Sequence, residues 1–500
     1  MADYLLGIDN GGSEIKCAVF NTTGSMLSVA RKRLPLDQPA PGYTQRDARA
    51  VWKANAAAIR EAIVESGVLS REIRAVGLTG YGNGMLLVDH SGTPVSPCIV
   101  STDSRAADQC RKFAESGAQR RIFSRTLQTL WAAQPAALIP WFRHNEKETL
   151  DRSAKYLGIK DWIRFCLTGT MTTEITEASS TCLFNLKERG FDAEIFRELG
   201  IEEYFGLAPA CVESTGISGY VTEAAAAETG LCAGIPVSGG YFDIDANALA
   251  SGILNDSLLC LIAGTWSINQ YLCKTANEDY DLNRNTTTLS YLPEHYLIED
   301  SSATSASNFD WFVSHLMGTA GPGHTRNDLY QACDATISAM DPEASDVVFV
   351  PYLYDSSAVS GGRGAFFNLN GSHTRDQLLL AVYEGVVFST AMHVSRLKPQ
   401  KAFTSARLSG GVAHSPVWSQ MMADVLDLPI EIPMGTELAA KGAAMGAGVA
   451  CGAFIDLAQA VENMYATERI YRPQAERTAI YRKKYETYNK AIEALRVFHR

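Results

Sequence analysis

The chain has 500 residues, more than the roughly 250 to 300 at which a single hydrophobic core usually stops growing, so two domains are expected. Hydrophobic residues make up 46% and charged residues 20%, a composition that excludes an intrinsically disordered chain. The net charge of -11 argues against nucleic acid or an anionic membrane as a partner, because proteins bind both mainly through an excess of lysine and arginine. Eleven cysteines without any CxxC pair predict reduced thiols and a cytoplasmic protein.

The first predicted element is a hairpin over residues 4–21 with a glycine-rich tip. A short apolar run leads into the tip Gly11-Gly12-Ser13, and a second apolar run returns the chain. Glycines at a tight turn let backbone N–H groups converge on a phosphate without side chains in the way. The hydroxyl of Ser13 could add a further donor. The tip is therefore a candidate phosphate site.

Two charged residues flank this tip. Asp9 ends the buried strand immediately before the glycines, where its carboxylate would either cap the turn or bind a Mg²⁺ attached to the phosphates. The metal interpretation is the one we favour. Lys16, two residues into the returning strand, is expected near the same anion.

Helical and strand patterns alternate after the hairpin, which predicts the α/β class. The predicted segments are helices at residues 49–66, 374–395 and 416–426 and strands at residues 73–79, 84–89 and 402–408.

A second hairpin over residues 257–271 repeats the pattern of the first, with Gly264-Thr265 at its tip. The repetition indicates an internal duplication, with domains at residues 1–253 and 254–500. Two such tips, one in each half, could hold one triphosphate from opposite sides. Residues 474–500 place aromatic residues at helical spacing among basic ones; a docked terminal helix is favoured over a nucleic-acid-binding helix because the chain is acidic.

Neither a P-loop nor a protein-kinase signature is present, so another nucleotide fold is required. Three motifs stand out along the chain: Asp9-x-Gly11-x-Ser13, Gly264-Thr265 and Ser409-Gly410-Gly411. Together they resemble those of the FGGY carbohydrate kinases, within the actin-like ATPase superfamily. The resemblance runs through nearly the whole chain. It implies two actin-like (ribonuclease H-like) α/β domains with a catalytic cleft between them, and the use of ATP and Mg²⁺.

The resemblance also implies a catalytic base. In the family an aspartate after a glycine-rich strand end has this role, and the segment GGYFDIDA at residues 239–246 puts Asp243 at that position. Phosphoryl transfer to an alcohol needs a base within hydrogen-bond reach of the hydroxyl. Asp243 is also expected with Asp9 at the Mg²⁺ site. The alternatives are that Asp243 is only a helix N-cap, or that Asp245 is the base.

Sugar recognition needs polar groups that bind several hydroxyls. Ser101 to Arg105 resembles the family's Asp-x-Arg element, in which Asp103 would accept hydrogen bonds from the sugar. Arg105 either shares this role or simply pairs with an acidic neighbour. Tyr81 and Asn83 lie where the family has its substrate loop, but D-xylulose kinases typically show Met-His there, which argues against that sugar.

The segment around Gly410 and Gly411 resembles the family's adenosine element. Glycines let adenine lie against the backbone, and the start of the following helix, at Ser415, would face ribose or phosphate. These three residues are therefore expected to bind the nucleotide.

Departures from the common pattern narrow the comparison within the family. Gly12 stands where many relatives have threonine, Trp266 follows the second tip, and Phe242-Asp243-Ile244 replaces Gly-Asp-Gln or Gly-Asp-Asn. Together they resemble the L-xylulose kinase branch, which favours a pentulose substrate. Kinases for erythritol, glycerol or a hexulose, and a non-kinase actin-like ATPase, are the alternatives. The sequence does not decide between a monomer and a homodimer.

Overall fold

The computed structural model describes residues 3–281, 285–318, 325–354, 359, 361–397 and 399–499. The chain forms two compact units. The first unit comprises Met1–Leu254, Lys274–Leu297 and Glu437–Tyr465, and the second comprises Asn255–Cys273, Ile298–Thr436 and Ala466–Arg500. The chain thus changes unit beside residue 253, where the sequence placed its boundary, and again at later points.

The first unit contains both strands and helices of the predicted α/β class. Its strands are Tyr4–Asn10, Ile15–Asn21, Met26–Lys32, Gln45–Arg46, Ile73–Gly80, Leu86–Val88, Cys98–Ile99, Lys155–Leu157, Thr172–Glu174, Phe184–Asn185, Gly190–Phe191, Ala210–Val212, Ile217–Tyr220, Pro236–Ser238, Tyr241–Phe242 and Thr286–Leu289. Its α-helices are Ala48–Ser66, Ala107–Glu115, Ala118–Thr126, Pro135–Asn145, Lys147–Asp151, Ile159–Thr168, Ile175–Ser180, Ala193–Glu198, Glu223–Thr229, Asp243–Ala250, Leu438–Ala450 and Leu457–Met464.

The second unit has the same mixture of elements. Its strands are Leu258–Ala263, Ser267–Cys273, Val348–Val350, Ala365–Phe367, Ser405–Ser409, Ile430–Pro433, Thr467–Tyr471 and Tyr296–Ser302, whose first two residues fall in the range of the first unit. Its α-helices are Ala306–Phe312, Arg326–Ser338, Arg375–Leu397, Pro416–Leu426 and Ala475–Phe498.

The main sheets of the two units share one strand order. In the first the order is Met26–Lys32, Ile15–Asn21, Tyr4–Asn10, Ile73–Gly80 and Pro236–Ser238. In the second it is Tyr296–Ser302, Ser267–Cys273, Leu258–Ala263, Ser405–Ser409 and Ile430–Pro433. In each sheet the first strand of the hairpin pairs antiparallel with its partner and parallel with the next strand in the order. The duplication predicted from the two hairpins is therefore present in the topology.

The central strand Tyr4–Asn10 is covered on both faces, which is why its sequence is a continuous apolar run rather than an alternating one. Leu6 and Ile8 belong to the hydrophobic core shared with the helix Ala48–Ser66. Gly7, on the opposite face, lies against the helix Leu438–Ala450. This late helix consists largely of alanine and glycine, and these small residues allow it to pack closely against the strand.

Two long helices of the second unit have an apolar or aromatic face. Arg375–Leu397 is the one helix in the described part of the chain that is long and apolar enough to cross a membrane, but 78% of its most apolar window is buried inside the protein. Ala475–Phe498 buries Tyr481 and Tyr488, and Lys484 Nζ lies 2.5 Å from Glu384 Oε1. The terminal helix is therefore docked, as its pattern predicted.

Glycine is required where the late helix meets the sheet. A Cβ at Gly77 would lie 1.9 Å from the carbonyl oxygen of Ala443, far inside van der Waals contact. We expect Gly77→Ala to lower the free energy of unfolding by at least about 2 kcal/mol, because a packed helix would have to shift. Urea denaturation measures the effect. The matched control is Gly206→Ala, where a Cβ meets nothing within 4 Å and the change should stay within about 0.5 kcal/mol. Equal stability of the two variants would contradict this packing argument.

Candidate active site

The candidate site in the first unit is built on three parallel strand ends. The strand Ile73–Gly80 pairs on one side with Tyr4–Asn10 and on the other with Tyr241–Phe242. Thr79 is level with both Asp9 and Tyr241 in the register, and its hydroxyl donates to the Tyr241 carbonyl oxygen at 2.9 Å. The strand that carries Asp9 and the strand Tyr241–Phe242, which leads into the Asp243 helix, are therefore separated by two strand spacings of about 4.8 Å each.

Asp9 is buried, with an exposed fraction of 7%, and its Oδ1 has no hydrogen-bond partner among the described residues. Burial raises the pKa of its carboxyl to about 6, Lys16 opposing the rise and the nearby acids Glu437 and Glu14 adding to it. An acid that is buried without full pairing is costly to the fold. This is the environment that a bound cation would stabilise.

Lys16 faces Asp9 across the hairpin. Its Nζ lies 3.0 Å from Glu437 Oε2, and Arg31 forms a close ion pair with the other oxygen of Glu437. Burial alone would lower the pKa of Lys16, but Asp9 and Glu437 outweigh it and raise the pKa, so Lys16 stays charged. Burial would raise the pKa of Glu437, but the two cations hold it below its usual range.

The glycine tip leaves its backbone accessible. Gly11 is half-buried, while Gly12 and Ser13 are exposed. A Cβ at Gly12 would meet nothing within 4 Å, so the open side of the turn is free of protein atoms there. The buried Arg46 donates from Nη2 to the carbonyl oxygen of Gly12 at 2.6 Å, which anchors the tip from the other side.

Asp243 is the first residue of the helix Asp243–Ala250 and is half-buried. The N-cap position belongs to Phe242, so the interpretation of Asp243 as the N-cap is wrong by one residue. Asp245 is fully buried, and its Oδ1 accepts a hydrogen bond from the backbone N–H of Tyr291 at 3.3 Å. Of the two acids, Asp243 is thus the more accessible.

The segment Gly80–Gly84 is a buried loop beside Asp243. A Cβ at Gly82 would lie 2.3 Å from the Phe242 ring, so the loop is packed against the residue that precedes Asp243. Tyr81 belongs to the hydrophobic core, and burial raises the pKa of its hydroxyl well above its usual range. Asn83 has a left-handed backbone (φ 63°) and is 5% exposed. Tyr81 Oη and Asn83 Oδ1 have no hydrogen-bond partner among the described residues.

Asp103 is almost fully engaged by Arg105. The Arg105 guanidinium donates from Nε and Nη2 to Asp103 Oδ2 at 3.0 and 2.9 Å, and the backbone N–H of Thr44 donates to the same oxygen at 2.6 Å. Arg105 also lies over the rings of Tyr43 and Trp141, at 4.3 and 5.2 Å from the centroids. Pairing with an acidic neighbour was one of the two roles left open for Arg105, and the neighbour is Asp103 itself.

In the second unit, the folding of the sheet brings together glycines that are far apart in the sequence. Ser409 pairs in parallel register with Ile262, so the turn at Gly410 and Gly411 lies at the same sheet edge as Gly264. Gly410 has φ 88°, and a Cβ there would lie 3.1 Å from the Gly264 backbone nitrogen. These glycines and the exposed Thr265 form one glycine patch, which consists of Gly264, Thr265, Gly410 and Gly411.

Ser415 lies near this patch but is already bonded within the protein. Its Oγ accepts the backbone N–H of Trp418 at 3.1 Å, as the N-cap of the helix Pro416–Leu426, and donates to Asp334 Oδ1 at 2.8 Å. The side chain is 8% exposed. Its hydroxyl therefore has a structural role at the start of this helix.

Sequence reasoning missed two residues near the first-unit site. Glu437 was assigned no role from the sequence, although an acid at a helix N-terminus is a recognisable signal. Trp131 is 43% exposed, on a loop whose Ala133 carbonyl oxygen accepts the N–H of Gly84 at 2.7 Å. Nothing in the sequence around Trp131 marked it, because its place beside the loop depends on the fold.

The residues present fit a Mg²⁺ bound with a phosphate rather than a closed protein cage. No group of three or more metal-binding side chains occurs within the part of the chain that the structure describes. Mg²⁺ commonly takes only one or two carboxylates and completes its shell with phosphate oxygens and water. The unpartnered Oδ1 of Asp9 meets this requirement.

Comparison with known proteins extends this description. The structure is similar to the crystal structure of xylulose kinase from Rhodospirillum rubrum, with a TM-score of 0.89 and 25% identity over 99% of this chain and 100% of that one. The fold is therefore that of the actin-like ATPase superfamily, as predicted.

Curated relatives and family models agree. The chain is 34% identical to a probable L-xylulose kinase of Haemophilus influenzae, over 99% of both chains. It is 33% identical to the L-xylulose/3-keto-L-gulonate kinase of Escherichia coli, over 100% of this chain and 98% of that one. Models of the N-terminal and C-terminal domains of the FGGY family of carbohydrate kinases match residues 4–250 and 259–451. The chain belongs to this family and is a sugar kinase, which confirms the predicted family and enzyme class.

The raised pKa of Asp9 predicts a stability cost that depends on pH. Its folded value of about 6 lies above the ordinary 3.8, so ionised Asp9 penalises the fold fully above pH 6 and not at all below about pH 4. The difference corresponds to about 3 kcal/mol. In EDTA, Asp9→Asn should therefore raise the free energy of unfolding by up to about 3 kcal/mol at pH 8, and the gain should fade as the pH falls from 6 to 4.

Urea denaturation at pH 8 and pH 5 measures this gain. Asp108→Asn, which changes an exposed carboxylate, is the control and should alter stability by less than about 0.5 kcal/mol at either pH. A variant that is less stable than the wild type at pH 8 would mean that Lys16 stabilises Asp9 by more than burial costs.

Proposed function

We propose that this sugar kinase transfers the γ-phosphoryl group of ATP to a hydroxyl of a pentulose, with L-xylulose as the first candidate. Two relatives named for L-xylulose match the chain over almost its whole length, at 34% and 33% identity. The departures at Gly12, Phe242 and Trp266 point to the same branch of the family. Other small polyols and ketoses, among them erythritol, glycerol and hexuloses, are the competing substrates.

The observation that carries the proposal is the alignment of two acids at one sheet edge. Asp9 lies near the end of one strand that flanks Ile73–Gly80, the helix that begins at Asp243 follows the other, and both strands run parallel to Ile73–Gly80. Carboxyl ends of parallel strands are where α/β proteins place their reactive groups. Two acids at such an edge, one buried with an unpartnered Oδ1 and the other more open, suit different tasks.

Asp243 is proposed as the general base. Its carboxylate accepts the proton of the sugar hydroxyl while that oxygen bonds to the γ-phosphorus of ATP. The bond between this phosphorus and the bridging oxygen breaks, so the products are the sugar phosphate and ADP, and the proton leaves Asp243 to solvent.

Asp9 is proposed to hold Mg²⁺ together with Asp243. Bound there, Mg²⁺ would neutralise negative charge on the phosphate oxygens. The charged Lys16 lies beside Asp9, so it supplies positive charge at the same edge. The tip Gly11-Gly12-Ser13 supplies backbone donors, and its open side at Gly12 leaves room for an anion.

Each unit has its own proposed ligand groups. In the first unit we assign the sugar to Tyr81, Asn83 and Asp103, with the exposed ring of Trp131 as an apolar wall for the carbon chain. Binding of the sugar there would require Asp103 to accept hydrogen bonds from both the sugar and Arg105. In the second unit the exposed glycine patch is the proposed site of adenosine, and Ser415 supports it by capping the helix that follows.

The choice between two acids gives a direct test. Asp243→Asn should lower kcat by at least about 1,000-fold while ATP binding persists, because the variant keeps the shape and removes the base. Asp245→Asn keeps an oxygen that can accept the Tyr291 N–H, so its kcat should stay within about tenfold of the wild type. Steady-state kinetics with a nucleotide-binding titration separates the two. Near-normal turnover of Asp243→Asn would reject it as the base.

Substrate identity is tested by ADP release across a panel of L-xylulose, D-xylulose, erythritol, glycerol and hexuloses. We expect L-xylulose to give the highest kcat/KM, by at least about tenfold over D-xylulose, since a hydrogen-bonding site rejects a misplaced hydroxyl. A higher kcat/KM for erythritol or glycerol would replace the pentulose assignment and leave the kinase mechanism intact. ADP release that is the same without any sugar would contradict both.

A further inference from the structure

Five ionisable side chains are buried together below the proposed sugar site. This buried ion cluster consists of Lys160, Asp161, Arg164, Glu174 and Glu177, and each residue is at most 3% exposed. The first three come from the helix Ile159–Thr168, and the two glutamates lie at the end of the strand Thr172–Glu174 and in the helix that follows it. None of the five was assigned a role from the sequence.

Lys160 is the centre of the buried ion cluster. Its Nζ lies 3.1 Å from Asp161 Oδ1, 3.5 Å from Glu174 Oε2 and 3.9 Å from Glu177 Oε2. Arg164 Nη2 donates to the same oxygen of Asp161 at 2.8 Å. Two cations thus face three acids, so the cluster can be neutral only if one acid is protonated.

Glu177 is the acid that this excess of negative charge affects most. Burial raises the pKa of its carboxyl well above the usual range; Lys160 opposes the rise, and Asp161 adds to it. At neutral pH the side chain is therefore mainly a neutral carboxylic acid, which glutamine resembles in shape and charge.

The buried ion cluster and the adjacent Thr176 contact the backbone of two segments of the proposed site, the substrate loop and the residue that precedes the proposed base. Glu177 Oε1 accepts the N–H of Asn83 at 3.1 Å, at the left-handed position of the substrate loop. Thr176 Oγ1 accepts the N–H of Phe242 at 2.8 Å, next to Asp243, and itself donates to Glu174 Oε2 at 2.8 Å. The loop and the base are thus fixed through two adjacent residues.

A third contact reaches the glycines that lead to the base. Arg164 Nη1 donates to the carbonyl oxygen of Gly239 at 2.5 Å, and a Cβ at Gly240 would come within 3.3 Å of the Lys160 side chain. The chain from Gly239 to Phe242 is therefore held by Arg164 at one end and by Thr176 at the other.

Stability alone is a poor explanation for such an arrangement. Taking several charges out of water costs several kcal/mol per ion, and apolar residues of similar volume often give an equally stable core. What apolar residues cannot supply is directional hydrogen bonds to chosen backbone groups. A positional error of about 1 Å at a reacting group can cost about 100-fold in rate, so exact placement of these segments has a large effect on catalysis.

We propose that Glu177 and Thr176 are separate positioning residues: Glu177 sets the substrate loop through Asn83 and so controls sugar affinity, and Thr176 sets Asp243 through Phe242 and so controls the rate of transfer. The inference rests on the proposed function, in which this loop binds sugar and Asp243 is the base. It adds that two neighbouring side chains have different effects: Glu177 controls mainly the KM for the sugar, and Thr176 controls mainly kcat.

Thr176 is tested by an isosteric change. Thr176→Val removes the acceptor for the Phe242 N–H, and we expect kcat to fall at least about tenfold while the sugar KM stays within about threefold. Thr176→Ser keeps the hydroxyl and should restore kcat to within about threefold of the wild type.

The matched control is Thr229→Val. Thr229 is also fully buried, and its Oγ1 accepts the backbone N–H of Leu231 at 3.3 Å, away from the site. It should show a comparable loss of stability with an unchanged kcat. If Thr229→Val and Thr176→Val lower kcat equally, the effect is one of stability and the proposal fails for Thr176.

Glu177 is tested by a pair of variants of similar volume. Glu177→Met removes the acceptor for the Asn83 N–H but leaves Lys160 paired with Asp161, so the protein should still fold. We expect the sugar KM to rise at least about tenfold, with kcat and the KM for ATP within about threefold. Glu177→Gln keeps an acceptor oxygen and should restore the sugar KM to within about threefold.

All variants are assayed with whichever sugar gives the highest kcat/KM, so the test does not depend on the pentulose assignment. Circular dichroism and urea denaturation show which variants are folded; Thr176→Ser and Glu177→Gln keep the proposal testable if the others are not. Parallel changes of KM and kcat in both Thr176→Val and Glu177→Met would overturn it. Full turnover of Asp243→Asn would instead reject the base, independently of this outcome.

Discussion

The register of three parallel strands is the constraint on which the first-unit site depends. Ile73–Gly80 lies between Tyr4–Asn10 and Tyr241–Phe242, and Thr79 is level with both neighbours. Because successive side chains in a strand point to opposite faces, a slip of one residue would move Asp9 to the other side of the sheet. The tight fit of Gly77 against the late helix resists such a slip, so the packing of the sheet and the alignment of the proposed site share one requirement.

Buried charge is concentrated where the function is proposed. Asp9 lacks a partner for one oxygen, and the buried ion cluster holds five ionisable groups away from water. Both features cost stability, and both lie at segments whose accurate placement the proposed mechanism of phosphoryl transfer requires. The surrounding structure compensates with continuous apolar strands and helices packed on both faces of the sheet.

Local patterns were enough to predict much of the fold. The two hairpins, the helix predicted at residues 49–66 and observed at Ala48–Ser66, and the helix Pro416–Leu426 all form where the sequence indicated. Their signals are apolar runs, glycine turns and helix starts, which act over a few residues. Candidate site residues could be named where a motif carried them, as at Gly264 and Gly410, which the sheet register brings together. The hydrogen bonds that Ser415 and Asp103 form within the protein could not be predicted, because Asp334 and Thr44, their partners, lie far away in the chain.

The sequence by itself determined the α/β class, the duplication and the family, because each is encoded in short motifs whose spacing survives without knowledge of any contact. Tertiary structure alone decided which charged side chains contact one another and which of them are buried. It brought Glu437 next to Lys16 across more than 400 residues, made Asp243 more accessible than Asp245, and buried Lys160 among three carboxylates. These outcomes depend on strand register and helix packing, and a side chain's charge state and bonding partners follow from that packing rather than from its neighbours in the chain.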